Sequence, residues 1–293
     1  MMNTPDAIRA THRAIVEQQA AWAQQQGLEL DKRGWICAAD AQHNLIVPMS
    51  QRHHLAFGNG AGNELRTKMR APHSSSVLAY NAFAAAERAG VSWADIFEHS
   101  DHHSAVPALV FEQRRPTRWR GIPPHLDAEL QWPRRLLAFE SKLTEPYGEK
   151  RAPSEALAAY LRYPASNPIW GGATQLHAVA QQLALGSVKH QLLDTPQLIK
   201  HSLGLRNAQH PGLEKTKEAP TVELVLLWFD ARHLSSAAEA VSQQLIAELD
   251  WFKDQVAEDI SVQQMTHQQL IQHYEAQCGL QPWVGWLKQR YSG

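Results

Sequence analysis

Cysteine is nearly missing from this chain: Cys37 and Cys278 are the only two in 293 residues and stand far apart. They make neither a disulfide framework nor a zinc cluster of CxxC spacing, so a reducing, cytoplasmic setting is expected. Excess charge of one sign is missing too, since 28 Lys and Arg against 29 Asp and Glu leave a formal net charge of -1. That excludes a histone-like polycation. It leaves room for a nucleic-acid partner, which needs a local basic face and not a basic total. No apolar run approaches the roughly 20 residues of a membrane helix. The opening MMNTPDAIRATHR has no apolar core, so neither a membrane span nor a secretory leader is expected. A serine-hydrolase GxSxG elbow is absent, and GNGAGNE lacks the Gly-Lys-Ser/Thr ending of a phosphate loop. The 16 histidines include the pairs His53-His54 and His102-His103. Adjacent histidines in a strand point to opposite faces and no HExxH occurs, so zinc is not indicated.

What is present is a chain able to fold around a sizeable core, 44% hydrophobic and only 19% charged. Thr4, Pro5 and the recurrence of Ile8, Ile15 and Trp22 before Gly27 predict a first helix. A polar, Gly-rich loop around Gly58, Gly60 and Gly62 follows. Ser74, Ser75 and Ser76 then open an Ala-rich helix closed by Gly90. ALVF (108–111), HLDAEL (125–130) and LLAFESKL (136–143) read as strands, and TVELVLLWFD (221–230) as a buried one. Helices are expected from a Ser154 cap, over 173–193, from Thr195-Pro196 to Gly204, over 235–256 and over 266–291. The pattern predicts helices flanking a small sheet, an α/β or α+β layer fold. We divide it into an N-terminal helical region (1–57) and a main domain (58–293).

The chemistry concentrates at 125–146, HLDAELQWPRRLLAFESKLTEP. Strand parity puts Glu140 and Lys142 on one face of their strand and Asp127 with Glu129 on one face of theirs. A hairpin turning at Pro133 and Arg134 brings Asp127 opposite Glu140, with Lys142 beside them. Opposed carboxylates about 5 Å apart destabilise a sheet unless a cation lies between them. Mg²⁺, which prefers carboxylate and water oxygens, resolves that conflict. Lys142 would then orient or deprotonate a water, or stabilise charge on a phosphate. The same spacing also fits an ordinary amphipathic hairpin with a wet Glu and Lys face. Upstream, Arg114, Arg115, Arg118 and Arg120 surround Trp119. That run is either a solvated loop or a set of phosphate contacts with an aromatic ring for base stacking. Trp132 is a second stacking candidate.

An Asp on one strand and Glu-Ser-Lys on the next resembles the PD-(D/E)XK nuclease superfamily, of restriction-endonuclease-like fold. GAGNELR, HSSSVLAYNAF, HLDAEL, FESKLTEPY and TPQLIKHSLGL follow in the order of its bacterial restriction-endonuclease-like group, across half the chain. The pattern departs at Leu126, where the motif has proline; the nearest is Pro124. The resemblance narrows the fold to α/β, with a small mixed sheet flanked by helices and helical additions at both ends. It implies a Mg²⁺-dependent DNA endonuclease, with Mn²⁺ as an alternative ion. Asp127 and Glu140 would be metal ligands, Lys142 the catalytic lysine and Glu64 a supporting carboxylate. Gln197 falls on a helix able to cover the site. DNA is the implied partner, and a homo-oligomer is compatible with it. A nuclease fold that binds DNA or protein without cutting is the alternative, and a plain helical scaffold a further one.

Overall fold

The computed structural model describes residues 4–37, 42–58, 65, 67–97, 106–119, 123–148, 150, 152–209 and 220–292. Helix α1 (Thr4–Gln25) buries Ala7, Thr11, Ile15, Gln19 and Trp22 at three- and four-residue spacing, the stripe expected of one packed seam. After α2 (Gln51–Gly58), Ser74 caps α3 (Ser75–Ala89) by accepting the Val77 N–H, and Gly90 closes it in the left-handed region. The short α4 (Trp93–Ile96) leads toward β1 (Ala108–Arg114), β2 (His125–Gln131) and β3 (Arg135–Lys142). Next come α5 (Pro153–Leu161), α6 (Thr174–Ala184), α7 (Thr195–Gln209) and β4 (Thr221–Trp228). The chain ends with α8 (Ser236–Val256), β5 (Ser261–Thr266), α9 (His267–Cys278) and α10 (Pro282–Tyr291).

The five strands lie in sequence order, β1 to β5. β1, β2 and β3 are antiparallel neighbours, whereas β4 and β5 run parallel to β3 and to each other, so the sheet is mixed. Parallel pairing needs crossovers, and the helical segment α5–α7 and then α8 supply them. β3 and β4 are covered on both faces and read as nearly continuous apolar runs. On one face Phe83 of α3 meets Phe139 of β3 at 4.7 Å between ring centroids. On the other, Gln197 of α7 reaches Glu140 of β3. The fold is therefore α/β with helices on both faces of a small mixed sheet. Ala7 and Ile15 of α1 join the main core, and α1 packs along α8.

Several helix boundaries differ from expectation. Ala152, not Ser154, occupies the cap position of α5. α6 stops at Ala184, short of 193, with Gly186 in a left-handed turn just beyond. The C-terminal segment breaks at Gly279 into two helices, and β5 precedes them. α7 continues through Gly204, because that glycine marks a contact and not an end. A Cβ there would collide with the Arg115 carbonyl oxygen and lie 2.9 Å from Arg115 Cβ. Only glycine lets α7 sit this close to the chain leaving β1. Arg290 is fully buried, donating to the Asn44 and Pro72 carbonyls. Its guanidinium also lies 3.9 Å from the Trp22 ring centroid, which ties α10 to α1.

Candidate active site

The β2–β3 hairpin pairs Ala128 with Phe139 and Glu129 with Ala138, so one step further Asp127 comes opposite Glu140. The backbone confirms the approach, since the Ser141 N–H donates to Asp127 Oδ2 at 2.7 Å. Parity then separates the side chains. Ser141 turns to the α3 side, where its hydroxyl lies 3.3 Å from the Ser75 carbonyl oxygen and 3.0 Å from His267 Nε2. Glu140 and Lys142 turn to the α7 side. Lys142 Nζ donates to Glu140 Oε1 at 2.6 Å and to Gln197 Oε1 at 2.8 Å. Gln197 Nε2 donates to the same Glu140 oxygen at 2.9 Å, closing a three-residue ring. The second oxygen, Glu140 Oε2, lies 3.2 Å from His201 Nε2, one helical turn along α7 from Gln197.

The reading of this hairpin as having a wet outer face is corrected. Glu140 is 3% exposed, because α7 covers the carboxyl ends of β3 and β4. A charge this deep needs partners, and the chain supplies them. Burial opposes ionisation of Glu140, but Lys142, His201 and the hydrogen bonds from Lys142 and Gln197 hold its carboxyl below the usual value. Lys142 is raised despite its burial, by Glu140, Glu145 and Asp127, and stays charged. Asp127 goes the other way. Burial, then the charges of Glu140 and Glu112, push its carboxyl well above the ordinary range, and Lys142 with the Ser141 N–H offsets only part of this. Burial lowers His201, with Glu140 opposing that shift and Lys142 adding to it.

Glu112 was not anticipated. It stands across β1 from Asp127, between the pairs Phe111–Ala128 and Gln113–Leu126, at a backbone φ of 50°. A non-glycine residue in that region is strained, and such strain gathers at functional sites. No local sequence pattern announces it. His12, Ser75, Glu112, Asp127, Lys200 and His201 are among the residues lining one cleft of about 810 Å³. That cleft also holds Glu140 and Lys142 and lies at the carboxyl ends of the parallel strands, where open α/β sheets bind ligands.

The arginine run divides. Arg115 forks onto Glu129, with Nε to Oε1 at 2.7 Å and an Nη to Oε2 at 2.5 Å. Glu129 is wholly buried, so Arg115 is its countercharge and is corrected out of the phosphate-contact set. Arg114 and Arg118 are exposed. Trp119 is half-buried, its ring 5.6 Å from that of Tyr163, and Trp132 is a core residue beneath Arg135. Neither ring is presented as an open stacking platform. Of the histidine pairs, His53 packs edge-on against Tyr80 and Phe111. Glu64, Arg120, His102 and His103 lie outside the described residues.

Among the described residues no three His, Cys, Asp or Glu side chains converge as a ready-made metal cage. Mg²⁺ does not require one, since it commonly binds through one or two carboxylates and fills the rest with water and phosphate oxygens. Asp127 and Glu140 fit that demand. Burial and the neighbouring carboxylates raise Asp127, a cost that a bound cation would relieve.

The mixed sheet thus carries two acidic side chains and a lysine at its carboxyl-end cleft. The chain matches the family described as restriction endonuclease associating with ARP over residues 16–292, and belongs to that family. No curated protein and no solved structure matches it. Among the described residues no helix is long and apolar enough to cross a membrane.

Proposed function

We propose that this protein is a metal-dependent DNA endonuclease of PD-(D/E)XK type, hydrolysing phosphodiester bonds at the Asp127–Glu140–Lys142 cluster. The observation that carries the reading is the in-register apposition of Asp127 and Glu140, with Lys142 Nζ 2.6 Å from Glu140. A bound divalent cation supplies charge neutralisation at the phosphate and an acidified water. Asp127 and Glu140 hold it. Lys142, kept protonated by the surrounding carboxylates, serves as a fixed positive charge toward the phosphate and the attacking water, and not as the base that takes a proton. Gln197 sets the lysine's position by accepting from Nζ while donating to Glu140. Membership of the restriction-endonuclease-associated family supports the same reading.

Plasmid nicking or linearisation by purified protein in Mg²⁺ or Mn²⁺ tests it. Glu140→Gln and Lys142→Ala are expected to lose cutting, with circular dichroism showing a retained fold. Equal cutting by wild type and both variants would overturn the assignment. One observation favours a second reading, a nuclease-fold module that binds DNA without cleaving: Lys142, Glu140 and Gln197 satisfy one another within the chain. Metal-independent DNA binding with no cutting of any DNA supplied would select it.

A further inference from the structure

Four groups surround the Glu140 carboxylate, and three have work within the chain. Lys142 and Gln197 share its Oε1, and Asp127 takes the Ser141 N–H. The fourth is His201. It is 1% exposed, it lines the cleft, and neither ring nitrogen has a hydrogen-bond partner among the described residues. Leaving a polar atom buried and unpaired costs about 1–3 kcal/mol, a cost that a partner from outside the chain would relieve. Its position says which kind. Two atoms each about 2.1 Å from one ion lie about 3.0 Å apart at a right angle and about 3.4 Å apart at a tetrahedral angle. His201 Nε2 and Glu140 Oε2 are 3.2 Å apart. Glu140 Oε1 is saturated, which leaves Oε2 as the oxygen available to a cation.

We propose that His201 is a nitrogen ligand of the cation held at Glu140, and that the site consequently favours a first-row transition ion over Mg²⁺. This rests on the metal-dependent reading above and narrows it. Imidazole nitrogen binds borderline ions far better than it binds Mg²⁺, whose preference is for oxygen. One histidine among carboxylates is enough to shift the order. The remaining positions fall to water, to phosphate oxygens and to Asp127.

Mn²⁺ is the probe, because its electron paramagnetic resonance reports both affinity and ligand identity without turnover. Wild-type protein should bind Mn²⁺ with electron spin-echo modulation from a directly bound ¹⁴N. His201→Gln should lose that modulation and bind Mn²⁺ at least about tenfold more weakly, with Mg²⁺ affinity, read by competition, changing much less. Glu140→Gln is the second variant, useful if His201→Gln folds poorly. A nitrogen signal that survives His201→Gln belongs to another histidine and overturns the proposal. Loss of Mn²⁺ binding in Glu140→Gln without any nitrogen signal in wild type leaves the metal site standing and removes His201 from it. A wild type that binds no Mn²⁺ sinks the metal reading and this inference together.

Discussion

Replacing Gly204 by alanine sets two effects of opposite sign against each other. Inside a helix alanine is better than glycine by about 1 kcal/mol, so a solvent-facing Gly→Ala exchange in α7 would stabilise. Here the added methyl meets the Arg115 carbonyl oxygen and lies 2.9 Å from Arg115 Cβ and 3.2 Å from its carbonyl carbon. These are mostly backbone atoms, and they cannot swing aside as the tip of a flexible side chain can. Arg115 is further pinned by its fork onto buried Glu129 and by its N–H to the Pro124 carbonyl. Overpacking costs about 1–3 kcal/mol, and an immovable obstacle puts this case at the upper end. The net expectation is a loss of about 2 kcal/mol, or about 4 °C in Tm at this chain length. Gly285 in α10 is the control: nothing lies within 4 Å of a Cβ built there, so Gly285→Ala should gain stability by up to about 1 kcal/mol. Thermal or urea unfolding of both variants decides the matter. A Gly204→Ala protein as stable as wild type, or more so, would refute the close approach of α7. The site should respond as well, because lifting α7 carries Gln197 and His201 away from Glu140, and Gly204→Ala should lose activity beyond what its stability explains.

Asp127→Asn keeps the shape and removes the repelled charge, so the metal-free variant should be more stable than wild type at neutral pH. The folded carboxyl of Asp127 lies above its model value of 3.8, so wild-type stability falls as pH rises from there through the raised value. The advantage of the variant should therefore grow with pH across that window, and a Tm difference in EDTA that is flat with pH would count against the buried repulsion. Among the described residues Arg114 and Arg118 are the exposed phosphate-contact candidates of the arginine run. Neutralising both should reduce the salt slope of DNA affinity by about 2, at about 0.9 per phosphate contact; an unchanged slope assigns them to a solvated loop.

How far the sequence could carry these conclusions depends on the range of the interactions involved. The β2–β3 register was legible because its determinants are local: alternation in HLDAEL and LLAFESK and a Pro133-Arg134 turn between them. β5 was not legible, since SVQQMT at the sheet edge is mostly polar and offers only Val262 and Met265 as apolar residues, three apart and not on one strand face. The burial of Glu140 was hidden for a different reason. Its cover comes from α7, 57 residues further along the chain, and nothing in FESK announces a helix lying on top. Arg115 was misread by the same route, because its partner Glu129 shares a strand face with Asp127 and looks equally exposed in sequence.

His201 is the sharpest case. Among 16 histidines it falls inside TPQLIKHSLGL, yet nothing there marks it beyond the four-residue spacing from Gln197, which places both on one face of a helix. That spacing gains meaning only when Gly204 lets the helix approach β1 and Glu140 rises from β3 to meet it. A glycine with no role in chemistry thus decides whether an imidazole reaches a carboxylate. Helix position and carboxylate ionisation are therefore coupled through one close contact, and the cation preference we propose would follow them. In this protein the substitution of greatest interest for function is for that reason not confined to the three residues of the D…ExK pattern.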